Sequence, residues 1–168
     1  SANLVSKVYF PRLALPLAAA GSPLVDLVIG STLLAAVLIF YGEVPGTNVI
    51  WAPIAIGMVL ATALGVGSWL AALNVRYRDV RHAVPFLIQI WLWISPVAYS
   101  TSLIPDEWRT VYAINPLSGA IDLFRWAMFG AGDGPGLHLV LSVAVAFALF
   151  ASGLVFFRRA ERSFADVI

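Results

Sequence analysis

One carboxylate, Asp26, lies inside a long apolar stretch that runs over residues 13–41. If this stretch crosses a bilayer, an ionised carboxylate within it costs several kcal/mol unless it is paired, solvated or protonated. One interpretation is a charge that lines or gates a pathway through the membrane. The other is a side chain that extends to the nearer membrane surface or pairs with a neighbour. The sequence leaves both interpretations open.

A second group of residues combines aromatic rings with an amide in the apolar stretch 84–100. At 100° per residue, Phe86 and Gln89 lie within about 40° of Trp93 on a helix, while Trp91 points about 200° away. Because Gln89 is polar and prefers an interior position, we assign the face of Phe86, Gln89 and Trp93 to a pathway. Aromatic rings beside an amide suit the apolar faces and hydroxyl edges of sugar rings. Ordinary aromatic packing is the competing interpretation.

A third group lies in residues 101–136, between two apolar stretches. Pro105 is followed by Asp106 and Glu107, a pattern typical of a helix first turn. The Asn115-Pro116 pair then breaks the chain, and a second short helix is expected from Leu117 to Gly130. Two short helices joined by a turn predict a re-entrant hairpin, with a belt on the membrane surface as the alternative.

The spacing of two charges in this segment, Asp122 and Arg125, places them on one face of the second short helix. Charges three residues apart on a helix can form an ion pair. These two side chains can therefore pair with each other.

Several kinds of chemistry have no motif in this chain. It contains no cysteine, and His82 and His138 are isolated from each other and from metal-ligand spacings. A phosphate-binding P-loop, a GxSxG elbow and a paired acidic motif are also missing from the sequence. We expect no catalytic residue, no metal and no cofactor in this chain.

The elements that carry these residues are apolar. Of the 168 residues 61% are hydrophobic and 11% charged, which excludes an ordinary soluble domain. Net charge is +1, so bulk electrostatics identifies no partner. The composition predicts an all-α integral membrane protein with four transmembrane helices, at residues 13–41, 49–73, 84–100 and 137–157.

Charge placement predicts the direction of these spans. With four spans, eight of the ten Lys and Arg residues share one side with both termini, and only Arg109 and Arg125 lie opposite. Positive charge accumulates on the cytoplasmic side, so both termini are expected there. The segment 158–168 is then a cytoplasmic tail, and 101–136 is an external hairpin. In the second span, Gly57, Ala61 and Gly65 form a stripe of small residues against which another helix could pack closely.

Four stretches together resemble a known family: NLVSKVYFPRLALPLAA, ALNVRYRDVRHAVPFLIQIWLWISPVAYS, INPLSGAIDLFRWAMFG and FRRAERSFADVI. They resemble the permease subunit of type-2 ABC exporters of polysaccharide, which move O-antigen, capsule or teichoic acid chains across the inner or plasma membrane. The resemblance covers essentially the whole chain. Members of that family usually begin with an amphipathic helix and two further spans, so the chain resembles the C-terminal two-thirds of a permease.

The resemblance implies partners and residue roles. The implied assembly is a homodimer of permease subunits that forms a channel, with separate ATPase subunits that bind ATP and Mg²⁺. The implied cargo is a lipid-linked glycan. Segment 1–12 resembles the cytoplasmic coupling segment that contacts the ATPase, and the loop after the second span is cytoplasmic as well. The implied coupling residues are Lys7, Tyr9, Phe10, Pro11, Arg12, Arg76, Tyr77, Arg78 and Asp79. The implied external gate residues are Pro105, Trp108, Asn115, Pro116, Asp122 and Arg125.

Two other functions compete with this expectation. A type-2 ABC exporter of drugs or other lipids is the nearest, but the aromatic third span and the NPLSGAIDLFRW segment favour glycan. A membrane-embedded glycan-processing enzyme would need acidic or histidine residues clustered at one membrane face. The acids in segment 101–136 are scattered, so we expect a transport subunit and not an enzyme.

Overall fold

The computed structural model describes residue 18 and residues 21–165, and every structural statement below concerns these residues. This part of the chain contains only helices, joined by short linkers. They are α1 (Gly21–Phe40), α2 (Ala52–Arg76), α3 (Val80–Ile94), α4 (Asp106–Ile114), α5 (Pro116–Phe129) and α6 (Leu137–Ala165), with short 3₁₀ helices at Thr47–Trp51 and Thr101–Leu103. The predicted all-helical fold class is confirmed.

Three helical segments are long and apolar enough to cross a membrane: Gly21–Phe40, Thr47–Arg76 and Leu137–Ser163. Helix α3 has only 15 residues, which at 1.5 Å per residue is about 22 Å, less than the hydrocarbon thickness of about 30 Å. The chain is therefore a membrane protein by helix length and composition. The count of four spans stays a prediction.

The end of α3 differs from the predicted stretch 84–100. The helix begins earlier, at Val80, and ends at Ile94, and Ser95 already has extended backbone angles. Pro96 favours this end, because proline disfavours helical backbone angles in the residue before it, here Ser95. Residues 95–105 form a linker to α4, called the α3–α4 linker below.

The packed centre of the molecule is the contact between α2 and α6. The two helices run in the same direction, since Gly65 lies beside Leu149 and Trp69 contacts both Ser152 and Phe156. Trp69 stacks on the Phe156 ring at 4.2 Å between centroids, and its indole nitrogen donates to the Ser152 hydroxyl at 3.0 Å.

The predicted stripe of small residues is only partly at this contact. A Cβ atom at Gly65 would lie within 2.6 Å of backbone atoms of Leu149 and Phe150, whereas at Gly57 it would meet nothing. The buried face of α2 passes instead through Ala55, Met58, Thr62, Gly65, Ser68 and Ala72. Tertiary packing thus selects a face that shares only Gly65 with the stripe.

Helix α5 packs against both α2 and α6. Ala55 and Met58 of α2 form a buried cluster with Ala120 and Leu123 of α5, bordered by an edge-to-face pair of Trp51 and Trp126. Helices α1 and α3 differ, because most of their apolar side chains are exposed. Their surfaces are available to lipid or to another helix.

Candidate functional site: the α4–α5 pair and its polar cavity

Helices α4 and α5 meet at Asn115, where the backbone leaves helical angles. Local sequence explains this break, because Pro116 disfavours helical backbone angles at Asn115. Asp106 and Glu107 favour the start of α4. The Asn115 side chain accepts from the Leu117 backbone N–H at 3.2 Å and so begins α5. Gly130 ends α5 with a φ of 66°. These are the two short helices expected from the sequence, while their depth in a membrane stays a prediction.

Asn115 also joins α3 to this break. Its Oδ1 accepts a hydrogen bond from Trp91 Nε1 at 2.9 Å, and its Nδ2 donates to Ser95 Oγ at 2.9 Å. Ser95 is buried at the end of α3. One amide side chain therefore connects the end of α3 with the junction of α4 and α5.

Asp122 and Arg125 do not form the ion pair that their spacing allows. Arg125 instead donates to two backbone oxygens of the α3–α4 linker, those of Val97 and Tyr99, both at 3.0 Å. The Asp122 carboxylate accepts from the hydroxyl of Thr101 in the same linker. Both side chains thus hold the linker against α5, because its backbone and hydroxyl groups need partners in an otherwise apolar setting.

Two further contacts hold α4 in place. Ser142 of α6 donates to the backbone oxygen of Ala113 at 2.7 Å, and the absence of a side chain at Gly119 admits Ser142. Arg109 forms salt bridges with Asp106 at 3.1 Å and Asp133 at 3.3 Å.

A cavity of about 460 Å³ lies among these elements. Its floor is formed by buried residues of α4, α5 and α6, and its rim by exposed residues of the linker and of loop 130–136. The polar and charged residues of its lining are Ser100, Thr101, Ser102, Arg109, Tyr112, Ser118, Asp122, Arg125, Asp133, His138 and Ser142. Polar and charged side chains are thus concentrated here in a chain whose mean hydropathy is +0.90, while Ala113, Leu123, Ala131 and Leu139 add apolar surface to the lining.

Electrostatics within the cavity centre on Asp122. Burial raises the pKa of the Asp122 carboxyl, and the Thr101 hydroxyl and the charges of Arg125 and Arg109 partly oppose this rise. In the described part of the chain no group of three or more His, Cys, Asp and Glu side chains is placed to hold a metal ion.

The predicted gate residues are only partly brought together. Asn115, Asp122 and Arg125 converge on the α3–α4 linker, and Pro116 is buried beside them. Pro105 and Trp108 are exposed at the start of α4.

The predicted pathway residues lie apart from the cavity. Phe86, Gln89 and Trp93 are exposed on α3, and Trp91 faces Asn115, so the two tryptophans occupy different faces. Asp26 is exposed on α1.

Of the predicted coupling residues, only those of the loop between α2 and α3 are described. Arg76, Tyr77, Arg78 and Asp79 are all exposed, and the Arg76 guanidinium lies 5.6 Å from the centre of the Tyr77 ring. Lys7, Tyr9, Phe10, Pro11 and Arg12 lie outside the described residues.

Sequence reasoning missed several residues of this site. Ser95, Thr101 and Ser142 each provide a hydrogen bond that holds the α4–α5 pair. A serine such as Ser142 within the apolar stretch 137–157 is a signal for a buried hydrogen bond. No local signal marks Ser95 or Thr101, whose partners are about 20 residues away.

Apolar helices of bilayer-crossing length, with a polar cavity beside them, define a multi-helix integral membrane protein. Residues 1–129 match the ABC-2 type transporter family, and the chain belongs to this family. Among known proteins it is similar to the O-antigen export system permease protein RfbA of Myxococcus xanthus, with 29% identity over 99% of this chain. Two such permease proteins from Klebsiella pneumoniae are 26% and 25% identical over its full length. The chain spans 65% of the length of each of these relatives.

Proposed function

We propose that the chain is the membrane-spanning permease subunit of an ATP-driven exporter that moves lipid-linked polysaccharide across the inner or plasma membrane. The observation that carries this proposal is the similarity to O-antigen export permeases from two organisms over 99–100% of the chain. Family membership supports the transporter class, and the named relatives support the glycan cargo.

The proposal assigns ATP and Mg²⁺ to separate ATPase subunits, because the sequence contains no P-loop. The coupling surface would comprise segment 1–12 and the exposed loop 76–79. Exposed apolar faces on α1 and α3 support contacts with lipid and with a second permease subunit in a homodimer.

Helix α3 provides a physical route from the coupling loop to the α4–α5 pair. Its first residue follows Asp79, and at its other end Trp91 and Ser95 bind Asn115. A displacement of loop 76–79 would therefore move α3, and through Asn115 the junction of α4 and α5. In this proposal the α4–α5 pair is a re-entrant external gate, and ATPase movements reach it through α3.

The glycan pathway is proposed along the exposed face of α3 that carries Phe86, Gln89 and Trp93. Aromatic rings offer stacking surfaces to sugar rings, and the Gln89 amide can donate to and accept from hydroxyls. Asp26 on α1 is proposed as a second polar group of the same pathway.

Deletion of the gene in its native host tests the function. We expect surface polysaccharide to disappear while lipid-linked glycan accumulates on the cytoplasmic side, and both to return when the gene is restored. A changed glycan structure at an unchanged location would indicate a processing enzyme. Unchanged polysaccharide together with increased drug sensitivity would indicate an exporter of drugs, and either result would contradict the proposal.

Segment 1–12 provides a test of coupling. We expect Arg12→Glu and Phe10→Ala each to reduce co-purification with the ATPase and to abolish export while membrane insertion is retained. Loss of one basic or aromatic contact at the interface is the physical reason. Arg159→Glu is the matched control, since Arg159 is predicted on the same membrane side and lies outside the proposed coupling surface. Equal loss in the control, or no loss in the two variants, would remove the segment from the interface.

A further inference from the structure

The cavity beside α4 and α5 contains a buried polar group that the fold itself does not use. Ser118 is 3% exposed, lines the cavity, and its hydroxyl oxygen has no hydrogen-bond partner among the described residues. Leaving a buried hydroxyl without a partner costs free energy that a ligand could recover.

The size and shape of the cavity suit a small molecule. Its volume of about 460 Å³ falls within the range of about 300–1,000 Å³ that is typical of ligand sites. The floor at Ser118 and Leu123 is buried, and the rim at Ser100 and Gly132 is exposed, so the cavity is accessible from the surface.

The formal charges of the cavity lining balance, because two arginines, Arg109 and Arg125, stand against two ionised aspartates, Asp122 and Asp133. Arg109 lies between two aspartates, Arg125 is bound to two backbone oxygens, and Asp122 accepts from Thr101. A charged ligand would therefore meet no net opposite charge in the lining. Hydroxyl groups of a ligand can both donate and accept hydrogen bonds. They can therefore pair with the Ser118 hydroxyl and with the Asp122 carboxylate oxygen that Thr101 does not contact.

We propose that this cavity binds a neutral, polyhydroxylated ring of pyranose size, with the Ser118 hydroxyl, turned toward the cavity by rotation about its Cα–Cβ bond, as a direct contact at its floor. The Asp122 carboxylate accepts from a second ligand hydroxyl, and Tyr112 borders the ring. The proposal that the cavity binds such a ring does not rest on the proposed transport function. That the ring is a unit of an exported glycan rests on the proposed function.

Saturation-transfer NMR on the purified full chain in detergent micelles tests binding, with methyl α-glucopyranoside and methyl α-mannopyranoside as neutral probes and inorganic phosphate as the anionic probe. We expect at least one pyranoside to bind and phosphate not to compete with it. If neither pyranoside binds, or if phosphate displaces them, the proposed ligand class is wrong.

The chain provides a matched pair of variants. Ser68 is also buried, and its hydroxyl also lacks a partner in the described part of the chain, but it lies on α2 and does not line the cavity. We expect Ser118→Ala to weaken pyranoside binding about three- to tenfold through loss of one hydrogen bond, and Ser68→Ala to leave it unchanged. Equal effects in the two variants, or no effect of Ser118→Ala, would overturn the proposal.

The binding assay and the gene deletion separate the two hypotheses. Pyranoside binding that depends on Ser118, in a host whose surface polysaccharide survives gene deletion, would retain the site and reject the exporter function. Loss of surface polysaccharide without Ser118-dependent binding would retain the function and reject the site.

Discussion

At the residue scale, the Asn115 side chain makes both a local hydrogen bond and two hydrogen bonds to residues distant in the sequence. Its bond to the Leu117 N–H follows from the Asn-Pro sequence, since asparagine commonly begins a helix. Its bonds to Trp91 and Ser95 join residues 24 and 20 positions away, and no local pattern predicts them.

Asp122 and Arg125 make the same point, because their spacing allows an ion pair that the folded chain does not form. Their spacing favours an ion pair, but the folded chain brings Thr101 and two backbone oxygens of the α3–α4 linker within reach. Partners from another element take precedence over a neighbour on the same helix, where an exposed pair contributes only about 0.2–0.5 kcal/mol.

The Trp91–Asn115 hydrogen bond predicts a difference between two neighbouring tryptophans. Trp91→Phe removes the indole donor and keeps an aromatic ring, so we expect the free energy of unfolding to fall by about 1 kcal/mol. Trp93→Phe, at a side chain that is 67% exposed, is the control and should change it by less than about 0.5 kcal/mol. Circular dichroism during denaturation in micelles measures both, and equal changes would contradict the assigned role of Trp91.

For export, we expect the opposite order of effects, with the larger defect from substitution of Trp93. If the exposed face of α3 lines the glycan pathway, Trp93→Ala should reduce export more than Trp91→Ala when protein levels are equal. The lost stacking surface is worth about 0.5–1.5 kcal/mol per ring contact, so the defect should be partial. Surface polysaccharide, normalised to the amount of permease, is the measurement. A larger defect in Trp91→Ala at equal levels would reverse the assignment of faces.

At the element scale, the contact between α2 and α6 depends on glycine in both helices. Gly153 of α6 lies directly against the backbone of Gly65, so no side chain fits at either position. The sequence predicts that small residues on α2 permit close helix packing, but it does not predict which face of α2 is used. That choice depends on α5 and α6, whose positions only the fold determines.

Gly65 and Gly57 provide a paired test of this contact. Gly65→Ala places a Cβ atom within 2.6 Å of the α6 backbone, so we expect a loss of stability of about 1–3 kcal/mol. Gly57→Ala meets open space and should leave stability unchanged or raise it by up to about 1 kcal/mol, because alanine favours helix. Denaturation midpoints measured by circular dichroism compare the variants. Equal midpoints would show that the helices do not meet at Gly65.

At the scale of the whole molecule, composition alone predicts the all-helical membrane class, because apolar stretches of bilayer length have few alternatives. The number of spans is less determined by sequence. The stretch 84–100 reaches the lower limit of about 17 residues for a spanning helix only when Ser95, Pro96 and the following residues are counted with it. The helix α3 itself ends at Ile94. Whether the chain crosses the membrane between Arg78 and Thr101 therefore depends on more than hydropathy.

Accessibility to an impermeant thiol reagent decides this question, since the chain has no cysteine of its own. With four spans, cysteines at Thr47 and Ala131 should label from outside, and cysteines at Arg78 and Ser163 should label only after the membrane is opened. Within loop 130–136, Ala131 suits a cysteine because its φ is not positive, whereas Gly134 has a φ of +73° and a Cβ atom there would meet the Trp126 ring.

The four sites distinguish the two possible topologies. If α3 does not cross, the chain between Arg78 and Ala131 stays on one side, so Ala131 would be protected and Ser163 would label from outside. The charge distribution argues against that result, because it would place Arg158, Arg159 and Arg162 on the outer side. We therefore expect protection at Ser163, with labelling of all four sites after permeabilisation as the control for reactivity. External labelling of Ser163 would contradict both the four-span topology and the cytoplasmic position of the C-terminal segment.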